Sequence, residues 1–171
     1  MQPARKRDEE VGPSRFPAVS GRSLLGADVA LPANFPADRT LAVLAFQQWH
    51  QTRVDRWIAR AVEAGVPPTT RGLAGEVQVA VVELPVLSAR WRPVRRFIDG
   101  GMTSGIGDPD VLARTITVYT DVTAFQRTLG IPSSDEVHAL VVTREGLVLA
   151  RAQGDPDDES WQPVADALHI T

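Results

Sequence analysis

From Leu41 to Phe46 the chain reads LAVLAF, an apolar run with no polar interruption. A strand with one face in water alternates apolar and polar residues, so this run predicts a strand buried on both faces near the middle of a sheet. Polar residues follow, broken only by Trp49, and then Val54, Trp57, Ile58, Ala61 and Val62 recur at helical spacing. A strand that passes through a short loop into a helix places that loop at the carboxyl edge of the sheet, where ligands and chemistry gather. In this chain the edge is furnished by Gln47, Gln48, Trp49, His50, Gln51, Thr52 and Arg53.

The helix is predicted to end near Ala64, because Gly65, Pro67 and Pro68 cannot continue it. Residues 77–84, rich in Val, predict a second buried strand and complete a βαβ unit. Residues 88–102 form the most basic stretch: Arg90, Arg92, Arg95 and Arg96 surround Trp91, Val94, Phe97 and Ile98, and a helix there has to begin close to Pro93. A glycine-rich loop, 100–107, comes next. Asp108-Pro109-Asp110 predicts a short helical cap, residues 115–120 a third strand, and Thr120 or Asp121 the cap of a helix carrying Phe125 and Leu129, closed by Gly130 and Pro132. Residues 138–142 and 147–150, joined through Arg144-Glu145-Gly146, predict a hairpin. The acidic run 155–159 suits the start of a last helix over 160–169. Ahead of all this, residues 16–32 predict a hairpin or extended arm, and the charged residues 1–15 a disordered tail.

This order resembles the thioredoxin-like superfamily, in which the loop after the first core strand carries Cys-x-x-Cys behind a Trp. Trp49 matches that Trp, and His50-Gln51-Thr52-Arg53 stand where the cysteines and their spacer would be. The lead-in Gly21-x-x-Leu24-x-Gly26-x-x-x-x-Leu31-Pro32 is similar to that of the peroxiredoxin-like branch. The resemblance implies an α/β fold, a three-layer α/β/α sandwich with a central mixed sheet, filling residues 16–171 as a single domain. It also implies a cis-Pro at the start of the strand opening the last hairpin, a position that falls here at Val137 or His138. Redox chemistry is removed outright. A thiolate is the nucleophile in thiol–disulfide exchange and peroxide reduction, and this chain contains no Cys.

A net charge of -3 with a pI near 5.6 gives no basic footprint, so a dedicated nucleic-acid binder is not expected. No apolar run reaches the length of a membrane span, and the polar N-terminus lacks a secretion-signal core, which leads to an expectation of no membrane and a cytoplasmic location. No cofactor is expected.

The fold would bring His50 and His138 to one edge of the sheet, where two imidazoles with a carboxylate or water could hold a metal; a histidine hydrogen-bonded at the sheet edge is the plainer alternative. Arg92, Arg95 and Arg96 with the glycine loop are a candidate anion site, against a solvated arginine face. Trp49 is expected in the core beside Trp57 and Trp91; exposed, it would instead anchor a partner. Two function classes follow. One is a non-redox binding or assembly module that holds a protein partner, or a second copy, through Trp49, His50, Arg53 and His138; cysteine-less mitochondrial ATP synthase assembly factors, which the chain also resembles, imply such a role. The other is a small-ligand or metal protein, with weak hydrolytic activity at most, built on His50 and His138.

Overall fold

The computed structural model describes residues 14–94, 100–101 and 107–170. The apolar run becomes strand β3 (Arg39–Ala45), in which every residue from Thr40 onward is buried. It is paired on both edges. β4 (Val79–Ser88) lies parallel to it, with Leu41 opposite Val81, and β6 (His138–Thr143) antiparallel, with Leu41 opposite Val141. A parallel neighbour needs a crossover, supplied by α1 (Gln51–Glu63), which Ala64 and the positive-φ Gly65 terminate.

The remaining strands extend the sheet outward. β1 (Val19–Ser23) and β2 (Asp28–Leu31) form the N-terminal hairpin, β5 (Ile116–Thr120) lies parallel to β4, and β7 (Val148–Gln153) pairs with β6. The order is β2-β1-β5-β4-β3-β6-β7, so the hairpin docks antiparallel on β5. Gly146 makes the turn between β6 and β7 at φ 90°, where a Cβ would come within 3.0 Å of Pro32. Among the described residues the one cis peptide bond is Leu31–Pro32.

Helices α2 (Pro109–Arg114), α3 (Val122–Leu129) and α4 (Asp158–Leu168) share one device. Asp108, Asp121 and Asp157 each accept a backbone N–H of the first turn, from Asp110, Ala124 and Ser160 respectively. The cap at Asp157 is why α4 begins two residues before the predicted 160.

Strand periodicity divides the core into two layers. Leu41, Val43, Val81, Ala139 and Val141 face α1 and α4, where they meet Trp57, Ile58, Trp161, Val164 and Leu168. Ala42, Leu44, Val82, Leu84 and Leu140 face the other way, against Phe16, Phe35 and the α3 residues Phe125 and Leu129. The sandwich is the one expected. Two local features differ from the sequence reading. Residues 89–94 form a 3-10 turn containing Pro93, and residues 100 and 101, read from the sequence as loop, are helical, while Arg95, Arg96 and loop residues 102–106 lie outside the described residues. Backbone pairing also reaches back beyond Phe16: Arg15 bridges Leu147, and the Ser14 carbonyl accepts from the Val148 N–H. The tail residues 1–13 lie outside the described residues.

Candidate functional site

After β3 the chain makes a 3-10 turn over Gln48–His50 before α1 begins. A tight turn sends successive side chains in different directions, and here His50 points in and Trp49 out. His50 is fully buried, and its Nδ1 accepts from the Phe46 N–H at 3.1 Å. The neutral ring therefore carries its proton on Nε2, which donates to the Asp135 carbonyl at 3.3 Å. One imidazole thus ties the β3–α1 loop to the loop that precedes β6. Burial lowers its pKa below the usual histidine value, and the nearby Arg53 charge pushes the same way, against the opposing effect of the Asp135 carbonyl.

Trp49 is 59% exposed. Its ring stands edge-on to His50, with centroids 4.3 Å apart, and the Arg53 guanidinium lies 5.8 Å from its centroid. Arg53 is oriented by Glu136 at 2.8 Å and by Asp155 at 3.9 Å. The expectation that Trp49 joins Trp57 and Trp91 in the core is thereby corrected, because the inward position of the turn belongs to His50. Trp91 is 45% exposed as well, and the aromatic partner of buried Trp57 is Trp161, at 6.3 Å.

His138 opens β6 opposite Leu44, buried and edge-on to Phe46 at 6.4 Å. Burial lowers its pKa first, then the positive charge of Arg151, with a smaller contribution from His50. The two histidines lie on the same edge of the sheet. Both nitrogens of His50 are nevertheless taken by backbone groups, so a metal there would have to displace one of them, and among the described residues no group of three or more His, Asp or Glu could hold an ion. Arg92, the described member of the anion candidate, donates from Nη2 to the Tyr119 carbonyl at 2.8 Å. A shallow groove between α1 and the start of α4 is lined by Arg56, Arg60, Glu63 and Asp157, and its arginines are already matched by Asp155 and Asp158.

One buried ionisable residue escaped the sequence reading. Glu83 sits in the middle of β4, only 4% exposed, on the face covered by α1. Burial pushes its carboxyl above the usual range; the hydrogen bond from Gln51 pulls it down, nearby Asp55 pushes it up, and Arg114 pulls it down. The signal was legible as a lone acid inside the run VAVVELPV. Its raised pKa means the folded state holds the proton better than the unfolded chain. Stability therefore falls as pH rises from 4.5 through the raised value, and above it the cost is fully present. Glu83→Gln keeps the shape without the charge; near neutral pH it is expected to gain about 1 kcal/mol in urea unfolding, and to lose that gain below the ordinary glutamate pKa.

A mixed sheet between α1 and α4 on one side and α3 on the other, with a helix springing from the edge of the central strand, is the thioredoxin-like fold. The chain is similar to Etrx1, the pneumococcal exposed lipoprotein thioredoxin of Streptococcus pneumoniae strain TIGR4, at a TM-score of 0.56 and 10% identity, over 90% of this chain and 98% of that one. It is also similar to BsSco, a member of the Sco family of cytochrome c oxidase assembly proteins, at a TM-score of 0.55 and 12% identity, over 91% of this chain and 92% of that one. At such identities the likeness is one of fold. No protein-family model matches the chain, and no curated protein does. Among the described residues no helix is long and apolar enough to cross a membrane.

Proposed function

We propose that this protein is a non-redox binding or assembly module that holds a protein partner on the edge where thioredoxin-like proteins carry their cysteines. The observation that carries this reading is Trp49, a large apolar ring left 59% exposed while the residue after it is buried. Exposed tryptophans are costly to keep in water and are enriched where partners dock. His50 and Arg53 serve the platform from beneath and beside, the first by fixing the loop to Asp135 and the second by stacking near the ring under the hold of Glu136. The assembly role in the name of BsSco supports the same class of function. The N-terminal β1–β2 hairpin, which is formed by the peroxiredoxin-like lead-in itself, supports placing the chain on that side of the superfamily. A metal at His50 is not part of this reading, since the backbone already occupies the ring.

The test uses Trp49→Ala and wild type as parallel baits in the native cell. The exposed ring contributes little to folding, so the variant keeps its stability within about 0.5 kcal/mol. A partner retained by wild type and lost by the variant is expected; identical sets of captured proteins would overturn the proposal.

A further inference from the structure

The edge that carries Trp49 has a second aromatic end with a different charge. β3 makes its last parallel pair at Ala45 opposite Pro85, but β4 continues to Ser88 against Thr120 of β5. The turn that follows, Ala89–Val94, therefore rises at the same carboxyl edge of the sheet. It presents Trp91, 45% exposed, with the Arg90 guanidinium 5.2 Å from its ring centroid, and it is fastened down by the Arg92 bond to the Tyr119 carbonyl.

The two ends treat their arginines differently. Arg53, beside Trp49, is balanced by Glu136 and Asp155. Arg90 and Arg92 have no carboxylate within 4.0 Å among the described residues, and a carbonyl or an aromatic face leaves the guanidinium charge in place. A local cationic spot thus stands on a chain whose net charge is -3. Guanidinium matches carboxylate in two-point hydrogen bonds, and a rim of unbalanced positive charge selects acidic partners while repelling basic ones. The negative charge of the whole chain opposes a long polyanion such as a nucleic acid, whose binding depends on many basic contacts.

We propose that Trp91, Arg90 and Arg92 form a second contact for the partner held at Trp49, and that this contact takes an acidic peptide segment bearing an aromatic or aliphatic residue. The assignment rests on the platform reading above, and it adds a chemistry that Trp49 does not specify: carboxylates at the Arg90 end, an apolar side chain across the tryptophans.

The probe is a short fluorescein-labelled peptide of Asp, Glu and a single Phe, with a Lys-substituted version and a single-stranded oligonucleotide as competitors, read by fluorescence anisotropy at low and physiological salt. Wild type is expected to bind the acidic peptide in a salt-sensitive way. Arg90→Glu, which breaks no hydrogen bond among the described residues, is expected to weaken it by about tenfold, and Arg92→Gln by less. Arg127→Glu on α3 serves as the control for net charge and should leave binding close to wild type. Failure to bind the acidic peptide, equal binding of the Lys version, displacement by the oligonucleotide, or equal loss with Arg127→Glu would each overturn the proposal. The same variants serve as baits for the native partner. Loss with Trp49→Ala but not with Arg90→Glu sinks the acidic contact and leaves the platform standing; loss with Arg90→Glu but not with Trp49→Ala supports the acidic contact and sinks the platform.

Discussion

Replacing His50 by Ala is expected to cost about 3 kcal/mol in urea unfolding, although its neighbour Trp49 can be truncated at almost no cost. The ring is fully buried, so its removal leaves a cavity, and it also strands the Phe46 N–H and the Asp135 carbonyl, whose hydrogen bonds it completes. His50→Asn keeps an acceptor near the Nδ1 position and is expected to recover roughly half of the loss. The histidine also leaves a signature in pH. Its folded pKa is depressed, so below the ordinary value of 6.5 the unfolded chain binds the proton first and stability falls as the pH drops toward the folded value. Part of that slope should vanish in His50→Asn, and a further part in the double variant with His138→Asn, because His138 is depressed for the same reason of burial. An unchanged pH slope in His50→Asn would show that the ring is not the neutral bridge inferred here.

Trp57→Ala is expected to be the most damaging of these substitutions, at about 4 kcal/mol. Trp57 has no exposed surface, packs against Trp161, and donates its indole N–H to the Gly154 carbonyl at 2.8 Å. It thereby joins α1, the end of β7 and α4 in one contact. Trp57→Phe keeps most of the apolar burial but orphans the Gly154 carbonyl, and about 1 to 2 kcal/mol is expected for it. The effect also reaches the edge. Gly154 precedes Asp155, which shares Arg53 with Glu136, so loosening Gly154 should free the guanidinium beside Trp49. Hydrogen exchange of the first turn of α1 would register this as faster opening in Trp57→Ala than in Trp57→Phe.

The sheet was largely legible before the structure, for a local reason. An uninterrupted apolar run such as Leu41–Phe46 has few alternatives to a doubly covered strand, and Gly65, Gly130 and Gly146 stand where helices and a hairpin must end or turn. The edge was less legible, because its contacts come from far along the chain. His50 finds its donor-acceptor pair in Phe46, four residues away, and in Asp135, in the loop before another strand. Nothing periodic in Gln47 to Arg53 tells which of two adjacent rings turns inward, and the bulkier one turned out. Glu83 was passed over for the opposite reason: its strand pattern was so strong that one acid did not disturb it.

The two partners of β3 reach it at very different times. Arg39 pairs with Val79 on one side and with Thr143 on the other, a loop of forty residues against one of about a hundred. During synthesis the parallel pair with β4 can close while the last third of the chain is still being made, but the opposite edge of the most apolar strand waits for β6. Until that hairpin arrives, a row of unpaired backbone groups flanked by Leu41, Val43 and Leu44 is open to any other extended chain. The strand that organises the finished molecule is therefore also its point of greatest exposure on the ribosome, and the nascent protein has most to gain there from a chaperone.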